Sequence, residues 1–462
     1  MHTASGADLD TKQIAPDNYR WVWTVQGIGL ALITFMSFFP RWHRPTEYLF
    51  FGLLALGIWA CWWETGAIPI RTPLDLPLGL LIVWVLLSVP FSIDPAYSFS
   101  EWRKLVAHIL VFYWAILVFR ASSNTRLTSL VLVSFISGTL AVSIYAIVDF
   151  VVRGGTLTDR VIRARGPSSD YNWLSTYMVI ALPVLFAASY NARKRWQRIA
   201  SLTVAALAGT AEFLAYTRAG WAGIGAEGMA AVWRLRQRWL LLSLLLILFA
   251  VVVGFVVLPE MGYQKDTTDP WTLGARVAVW KLAIGEILEH PLVGIGYGDY
   301  NFVVKLKGHQ EIEKADGPHS TFVMFAMGSG LPALIFLIWS IVRTFQNVGV
   351  DSSIAGIRGN PSPTDALGIA VYAMAAGFWV RNCFAHMFIG GLSHLYWILV
   401  ALAIVYRGQP LQPADQSIAR DTSSSMWAAN PDGPAAVPQP TMAIDSWVRH
   451  TSTRLQSGDC FR

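Results

Sequence analysis

The chain has 462 residues, of which 54% are hydrophobic and only 14% charged, with a formal net charge of +6. A soluble protein carries about 25% charged residues, so the composition excludes an ordinary soluble enzyme. Apolar runs of about 17 to 25 residues recur, each long enough to cross a bilayer. Because these runs are continuous rather than alternating, they exclude a membrane β-barrel. The sequence therefore predicts an all-α polytopic membrane protein.

Twelve transmembrane helices are predicted within residues 21–406, after a polar N-terminal segment at 1–20. The predicted spans are 21–39, 47–63, 75–91, 104–120, 127–151, 174–190, 198–216, 219–233, 239–258, 320–342, 365–387 and 393–406. The eighth span is short and rich in glycine, and small residues at such spacing let helices approach closely. Residues 407–462 are rich in Pro, Ser, Ala and Gln and predict a disordered tail.

Lysine and arginine predict the orientation of these spans. The short loops on the side of the two termini hold most of the loop lysines and arginines, so the positive-inside rule predicts cytoplasmic termini. Segment 1–20 and tail 407–462 are then cytoplasmic, and the long loop at 259–319 lies outside. The basic residues flank the membrane, so the basic pI does not indicate nucleic-acid binding. The outside loop at 152–173 breaks the rule with four arginines, either as anchors for lipid head groups or as a phosphate-binding site.

Ionisable residues within or next to the spans are predicted to collect toward the outer leaflet. Such residues are costly in a membrane and are usually functional. A purely structural pair, for instance Asp149 with Arg381, remains an alternative for any two of them. The group consists of His108, Asp149, Glu212, Arg218, His319, Arg381 and His386.

An amphipathic helix is predicted at 273–289 in the long outside loop. Its apolar stripe is Leu273, Val277, Trp280, Ile284 and Ile287, a pattern with helical spacing. We expect such a helix to lie in the membrane interface.

Arg276 falls at the edge of this stripe, at head-group depth. Its planar guanidinium suits a diphosphate because it donates two hydrogen bonds at once. The alternative is a snorkelling arginine that only anchors the helix. His290 before Pro291 ends the helix, and Gly294 and Gly296 then allow tight turns or close backbone approach.

His319 follows Gly317-Pro318 at the mouth of the tenth span. An imidazole is the side chain best suited to accept a proton near neutral pH, so His319 is a candidate base. A capping or interfacial histidine is the alternative.

Several of these motifs resemble the O-antigen ligase/polymerase superfamily of bacterial envelope glycosyltransferases. The four closest matches are A-Y-T-R-A-G-W-A-G at 215–223, G-A-R-V-A-V-W at 274–280, H-P-L-V-G-I-G-Y-G-D-Y at 290–300 and P-H-S-T-F-V-M-F-A-M-G-S-G-L-P at 318–332. A fifth segment, at 165–175, is similar to the family's G-x-x-x-x-P-N-x-L-A, but Tyr171 replaces the proline before Asn172.

The resemblance implies a GT-C-like glycosyltransferase domain at 21–406 in the bacterial inner membrane, with a periplasmic catalytic loop at 259–319. It also implies a metal-independent reaction that uses no cofactor. The donor would be an O-antigen glycan on undecaprenyl diphosphate, and the acceptor a sugar hydroxyl of lipid A-core, with membrane lipids as the other partners. Carried over by motif, the catalytic residues are His319, Arg276 and Arg218. Substrate contacts are expected from Arg163, Arg165, Asn172, Arg381, Gly294, Gly296 and Tyr297.

Three other functions remain open at this point. An O-antigen polymerase would share the donor but extend another lipid-linked glycan. A protein O-oligosaccharyltransferase would glycosylate a serine or threonine. A secondary transporter would show repeats between the two halves and polar groups at the membrane midplane, and the sequence shows neither.

Overall fold

The computed structural model describes residues 20–66, 71–121, 125–157, 162–235, 273–307, 315, 317–348 and 363–406. This described part contains thirteen α-helices. They are α1 (Arg20–Met36), α2 (His43–Thr65), α3 (Asp75–Ser88), α4 (Pro95–Ala121), α5 (Thr125–Val152), α6 (Tyr171–Tyr190), α7 (Arg195–Ala215), α8 (Arg218–Arg234), α9 (Leu273–Glu289), α10 (Asp299–Leu306), α11 (Thr321–Val348), α12 (Pro363–Asn382) and α13 (Gly390–Tyr406).

Every predicted span except the ninth coincides with one of these helices, so the all-α class is confirmed. The ninth span, at 239–258, lies outside the described residues, as do the tail at 407–462 and most of segment 1–20. Six helical segments are long and apolar enough to cross a membrane, and three further apolar helices are shorter. These findings support a polytopic membrane protein.

One predicted boundary is wrong by nine residues, because α4 begins at Pro95 rather than near residue 104. Asp94 explains the earlier start. Its side chain accepts a hydrogen bond from the backbone N–H of Tyr97 at 2.9 Å, which caps the start of the helix. Proline is favourable at the first helical position because the backbone N–H that it lacks would have no partner within the helix there. Since Glu101 and Arg103 interrupt the apolar pattern near the start of α4, hydrophobicity alone did not include residues 95–103.

The core runs along the helices as one large cluster of buried aliphatic and aromatic side chains. Phe38, after α1, packs against Phe135 of α5 and Tyr177 of α6, with ring centroids 5.5 Å and 5.2 Å apart. Helix α12 packs against both α6 and α8. At the α8–α12 contact, a Cβ on Gly223 would lie 3.1 Å from the carbonyl oxygen of Gly377. The predicted close approach of the glycine-rich eighth span is therefore confirmed at Gly223.

The predicted helix at 273–289 is confirmed with those bounds, and its apolar stripe is only partly covered by the protein. Trp280 and Ile287 of the stripe pack against a small core. Val279 and Ala283 are buried in a small core with α10 and α11, and Glu286 is buried with them. Val277 and Ile284 of the stripe are 41% and 52% exposed. An apolar face that stays outside the protein core is the arrangement expected of a helix that meets lipid on that side.

Candidate functional site

Three helices begin next to one another at the candidate site, and each begins in the same way. Ser169, Tyr216 and His319 are the non-glycine residues with positive φ in the described ranges, at 59°, 46° and 50°. Each stands two residues before a helix, namely α6, α8 or α11. Such conformations cost free energy and cluster at functional sites. Because helix N-termini present backbone N–H groups and a positive dipole end, this convergence favours an anion.

Side chains tie these three N-termini to one another and to the end of α12. Asn382, the last residue of α12, accepts a hydrogen bond from Thr321 of α11 at 2.6 Å. Thr217, before α8, donates to Ser175 of α6 at 2.7 Å. The α12 end and the starts of α6, α8 and α11 therefore form one connected unit.

Arg381 lies fully buried in the middle of this unit, at 0% exposure. Its Nη2 donates to the Oδ1 of Asn172 at 2.8 Å and to the Asn172 carbonyl oxygen at 3.4 Å. Its Nε and Nη1 have no hydrogen-bond partner among the described residues. A buried guanidinium with open donors is costly unless an acceptor reaches them, so this arrangement suits an anionic ligand.

Two charged residues lie within electrostatic range of Arg381. The Arg276 guanidinium of α9 adds positive charge, whereas the Glu212 carboxylate of α7 provides an opposite charge. The structure thus brings together Arg276, Arg381 and Asn172, which the sequence predicted separately. Asp149 does not pair with Arg381: it binds Arg153 one helical turn away, so the structural alternative proposed for those two residues is wrong.

Glu212 anchors a buried polar cluster behind the arginines. One of its carboxylate oxygens accepts hydrogen bonds from the hydroxyls of Ser175 and Thr217, at 2.9 Å and 3.2 Å. Gly220 of α8 leaves room for this cluster. A Cβ at that position would lie only 1.9 Å from the same carboxylate oxygen and 2.1 Å from the Ser175 hydroxyl.

His319 is held from two sides. The indole Nε1 of Trp280, in α9, donates to the carbonyl oxygen of Pro318 at 3.0 Å. On the other side Thr321 is fixed by Asn382. Trp280 lies four residues after Arg276 on the same helix, so α9 connects the predicted base to a predicted phosphate ligand.

Asp299 and His386 lie beside the segment that leads to His319. The His386 Nδ1 and an Asp299 carboxylate oxygen are 3.4 Å apart. The same carboxylate oxygen would be 2.8 Å from a Cβ on Gly317, so the glycine lets the two segments approach closely.

The remaining predicted arginines lie at the margin of this unit. Arg218 is the exposed first residue of α8, next to Thr217. Arg163 packs its guanidinium over the Tyr171 ring at 4.6 Å, a cation–π contact at the start of α6. Arg153 donates to the Arg163 carbonyl oxygen. Arg165 is exposed.

Gly294, Gly296 and Tyr297 are buried in packing contacts. The backbone of 294–296 runs against α11, with Ile295 and Gly296 donating to the carbonyl oxygens of Met327 and Gly328, each at 2.9 Å. Burial raises the pKa of the Tyr297 phenol, and the nearby Glu101 carboxylate raises it further, so this phenol stays protonated near neutral pH. These contacts explain the residue types without a ligand, and substrate binding by the three residues stays a prediction.

The sequence did not reveal Asn382 or Asp299, and it noted Glu212 only as a residue near a helix junction. Each carried a weak signal: Asn382 directly follows Arg381, and Asp299 directly follows the glycine-rich turn. Neither signal says which helix the side chain meets.

The fold and this cluster define a polytopic helical membrane protein with a buried cationic site at one end of its helices. Residues 202–338 match the family model described as O-antigen ligase. This match confirms the resemblance that the motifs predicted, and it indicates membrane glycosyl transfer of the O-antigen ligase/polymerase type. It covers α8, α9, α10 and most of α7 and α11, and therefore includes Arg218, Arg276 and His319. No curated protein matches the chain.

Proposed function

We propose that the protein is an O-antigen ligase. It would transfer a glycan from undecaprenyl diphosphate to a sugar hydroxyl of lipid A-core, with a GT-C-like fold, at the periplasmic face of the inner membrane. The observation that carries the proposal is Arg381, buried at the N-termini of α6, α8 and α11 with its Nε and Nη1 lacking partners among the described residues. A diphosphate is the ligand whose acceptor oxygens and charge match those donors.

The arginines would act mainly on the leaving group. As the bond between the anomeric carbon and the phosphate oxygen breaks, negative charge accumulates on the diphosphate. Arg276 and Arg381, together with the helix N-termini, would stabilise that charge in a site from which water is largely excluded. Arg218, at the exposed edge, would contact the same diphosphate. These groups provide the charge that a metal supplies in other glycosyltransferases, which supports a metal-independent reaction.

His319 would accept the proton of the acceptor hydroxyl. The hydroxyl oxygen attacks the anomeric carbon, the bond to the diphosphate breaks, and the hydroxyl proton passes to the imidazole. Direct attack inverts the configuration at the anomeric carbon. The left-handed backbone of His319 and the Trp280 contact to Pro318 support a fixed orientation of this ring, which general base catalysis requires.

The acceptor would approach over the α6 end of the site. Arg163 and Arg165 lie on the segment that leads into α6, and Arg165 is exposed. That segment is fixed at Ala164, whose backbone N–H donates to the carbonyl oxygen of Leu214 at 2.9 Å. Arginines on a fixed segment, with Arg165 exposed, suit the phosphate groups of a charged lipid acceptor.

The test uses the purified full-length protein in detergent with EDTA. The donor is an undecaprenyl-diphosphate-linked glycan and the acceptor is lipid A-core, with the product resolved on a gel. Arg276→Ala should lower the rate about 100-fold or more, as loss of a transition-state donor does. His319→Ala should lower it by about 10²–10⁴-fold. Arg381→Lys keeps the charge but loses the planar fork, and should also lose activity.

Two control variants carry the same kinds of side chain outside the site. Lys281→Ala removes an exposed cation from the same helix as Arg276, and His43→Ala removes a histidine at the start of α2. Both should keep wild-type activity. Glycans that lengthen on the donor lipid without lipid A-core would overturn ligation in favour of polymerisation. Absence of any new glycosidic bond in wild type would overturn glycosyl transfer altogether.

A further inference from the structure

A second cluster of charged side chains lies at the other end of α9, away from the arginines. Glu286, Glu289 and His290 offer two carboxylates and an imidazole whose ligand atoms all lie within 4.8 Å of one another. We call these three residues the Glu286–His290 cluster. Because Glu286 and His290 are four residues apart at the end of a helix, they share one face.

Glu286 shows that this cluster differs from an ordinary exposed acidic group. Its side chain is only 9% exposed. One carboxylate oxygen binds the ammonium of Lys305 in α10 at 3.0 Å, and the other has no hydrogen-bond partner among the described residues. A buried carboxylate oxygen without a partner is costly, and the Glu286 side chain that carries it lies within reach of two further metal-binding side chains.

The charge around the cluster favours a cation. Two carboxylates face one lysine, so the group carries a net negative charge when His290 is neutral. The cluster also lies at the C-terminal end of α9, where the helix dipole is negative. Glu289 and His290 are exposed, so an ion can enter from solvent and keep water as its remaining ligand.

We propose that the Glu286–His290 cluster binds a divalent transition-metal cation, with Zn²⁺ as the best match. Zinc binds imidazole nitrogen and carboxylate oxygen, commonly from three protein ligands and a water. Magnesium or calcium would prefer oxygen ligands alone. The bound ion would fix the end of α9 where Pro291 turns the chain toward α11.

This site is separate from the proposed transfer reaction. Arg276 is ten positions from Glu286 and thirteen from Glu289, which is about 15 to 20 Å along a helix axis. The ion would therefore act on the stability of α9, and the inference does not rest on the proposed function. Failure to bind zinc leaves the transfer assay unaffected, and the reverse also holds.

The test measures binding of Zn²⁺ by calorimetry to the full-length protein in detergent after removal of metals by a chelator, with the visible absorption of Co²⁺ as a second readout. Wild type should bind one ion per chain. Glu289→Gln and His290→Ala should each weaken binding at least about tenfold, since even loss of an outer-shell partner costs 10- to 100-fold. Both side chains are exposed, so these variants should fold normally.

Two further variants sharpen the result. His43 and Glu47 of α2 form another pair four residues apart, partly exposed, with Nε2 and Oε1 separated by 3.3 Å. Among the described residues no third metal-binding side chain joins them. His43→Ala should therefore bind zinc as wild type does. Lys305→Ala removes the competing ammonium and should tighten binding, a gain that misfolding cannot produce. Equal zinc affinity in wild type, His290→Ala and His43→Ala, or no saturable binding, would overturn the proposal.

Discussion

Replacement of Gly220 by alanine tests the buried cluster around Glu212. The new Cβ would lie 1.9 Å from a Glu212 carboxylate oxygen, 2.1 Å from the Ser175 hydroxyl and 2.6 Å from the Thr217 hydroxyl. No real Cβ tolerates such distances, so either the cluster or the start of α8 must move. A shift of this kind separates the hydrogen-bond partners of a buried carboxylate.

Gly209 of α7 provides the matched control, because a Cβ there meets nothing within 4 Å. Alanine is favoured over glycine in a helix by roughly 0.5–1 kcal/mol, and both variants share this gain. Overpacking in a filled core costs about 1–3 kcal/mol, and only Gly220→Ala incurs that cost. The difference between the two variants should therefore be about 1–3 kcal/mol, all of it from packing.

The assay is thermal unfolding of both variants in the same detergent, followed by glycan transfer well below the unfolding temperature. Gly220→Ala should unfold at a lower temperature than Gly209→Ala. It should also lose activity, because α8 carries Arg218 and a misplacement of about 1 Å can cost 10²-fold in rate. If the two variants unfold together and both remain active, the tight packing deduced around Glu212 is refuted.

Two further predictions concern the segments around His319 and the glycine-rich turn. Trp280→Phe removes the 3.0 Å hydrogen bond to Pro318 and should lower kcat with little change in KM for the donor. Trp233→Phe, at an exposed position, should change neither quantity. Equal kinetics in both variants would contradict a positioning role for Trp280. Gly330→Ala should prevent normal folding, since φ is 82° and a Cβ would lie 2.0 Å from a backbone oxygen. Gly66 has φ at 65° but open space around it. Gly66→Ala should therefore be less stable than wild type only by the cost of a left-handed alanine, about 1–2 kcal/mol. Comparable yields of folded protein from both variants would contradict the packing argument.

The sequence by itself determined most helices and two chemical candidates. Apolar run length, set by the thickness of a bilayer, predicted eleven of the helices in the described part of the chain. Amphipathic spacing predicted α9 with its observed bounds, because helical periodicity is a local property. Arg276 could be singled out because it lies at the edge of an amphipathic stripe, where a guanidinium suits a diphosphate. His319 could be singled out because an imidazole at the mouth of a span is suited to accept a proton near neutral pH.

Only the tertiary structure decided which of these residues meet. Arg381 and Asn172 bind each other across 209 positions of sequence, and no local pattern encodes that distance. Membrane helices are apolar on most of their surface, so hydrophobicity cannot tell which face meets a neighbouring helix. For the same reason the sequence did not show that Val279 and Ala283 of α9 pack against the protein. Packing between helices far apart in the chain decides the partners of Glu212, the fixed position of Pro318 and the joint start of α6, α8 and α11. That packing alone assembles the site.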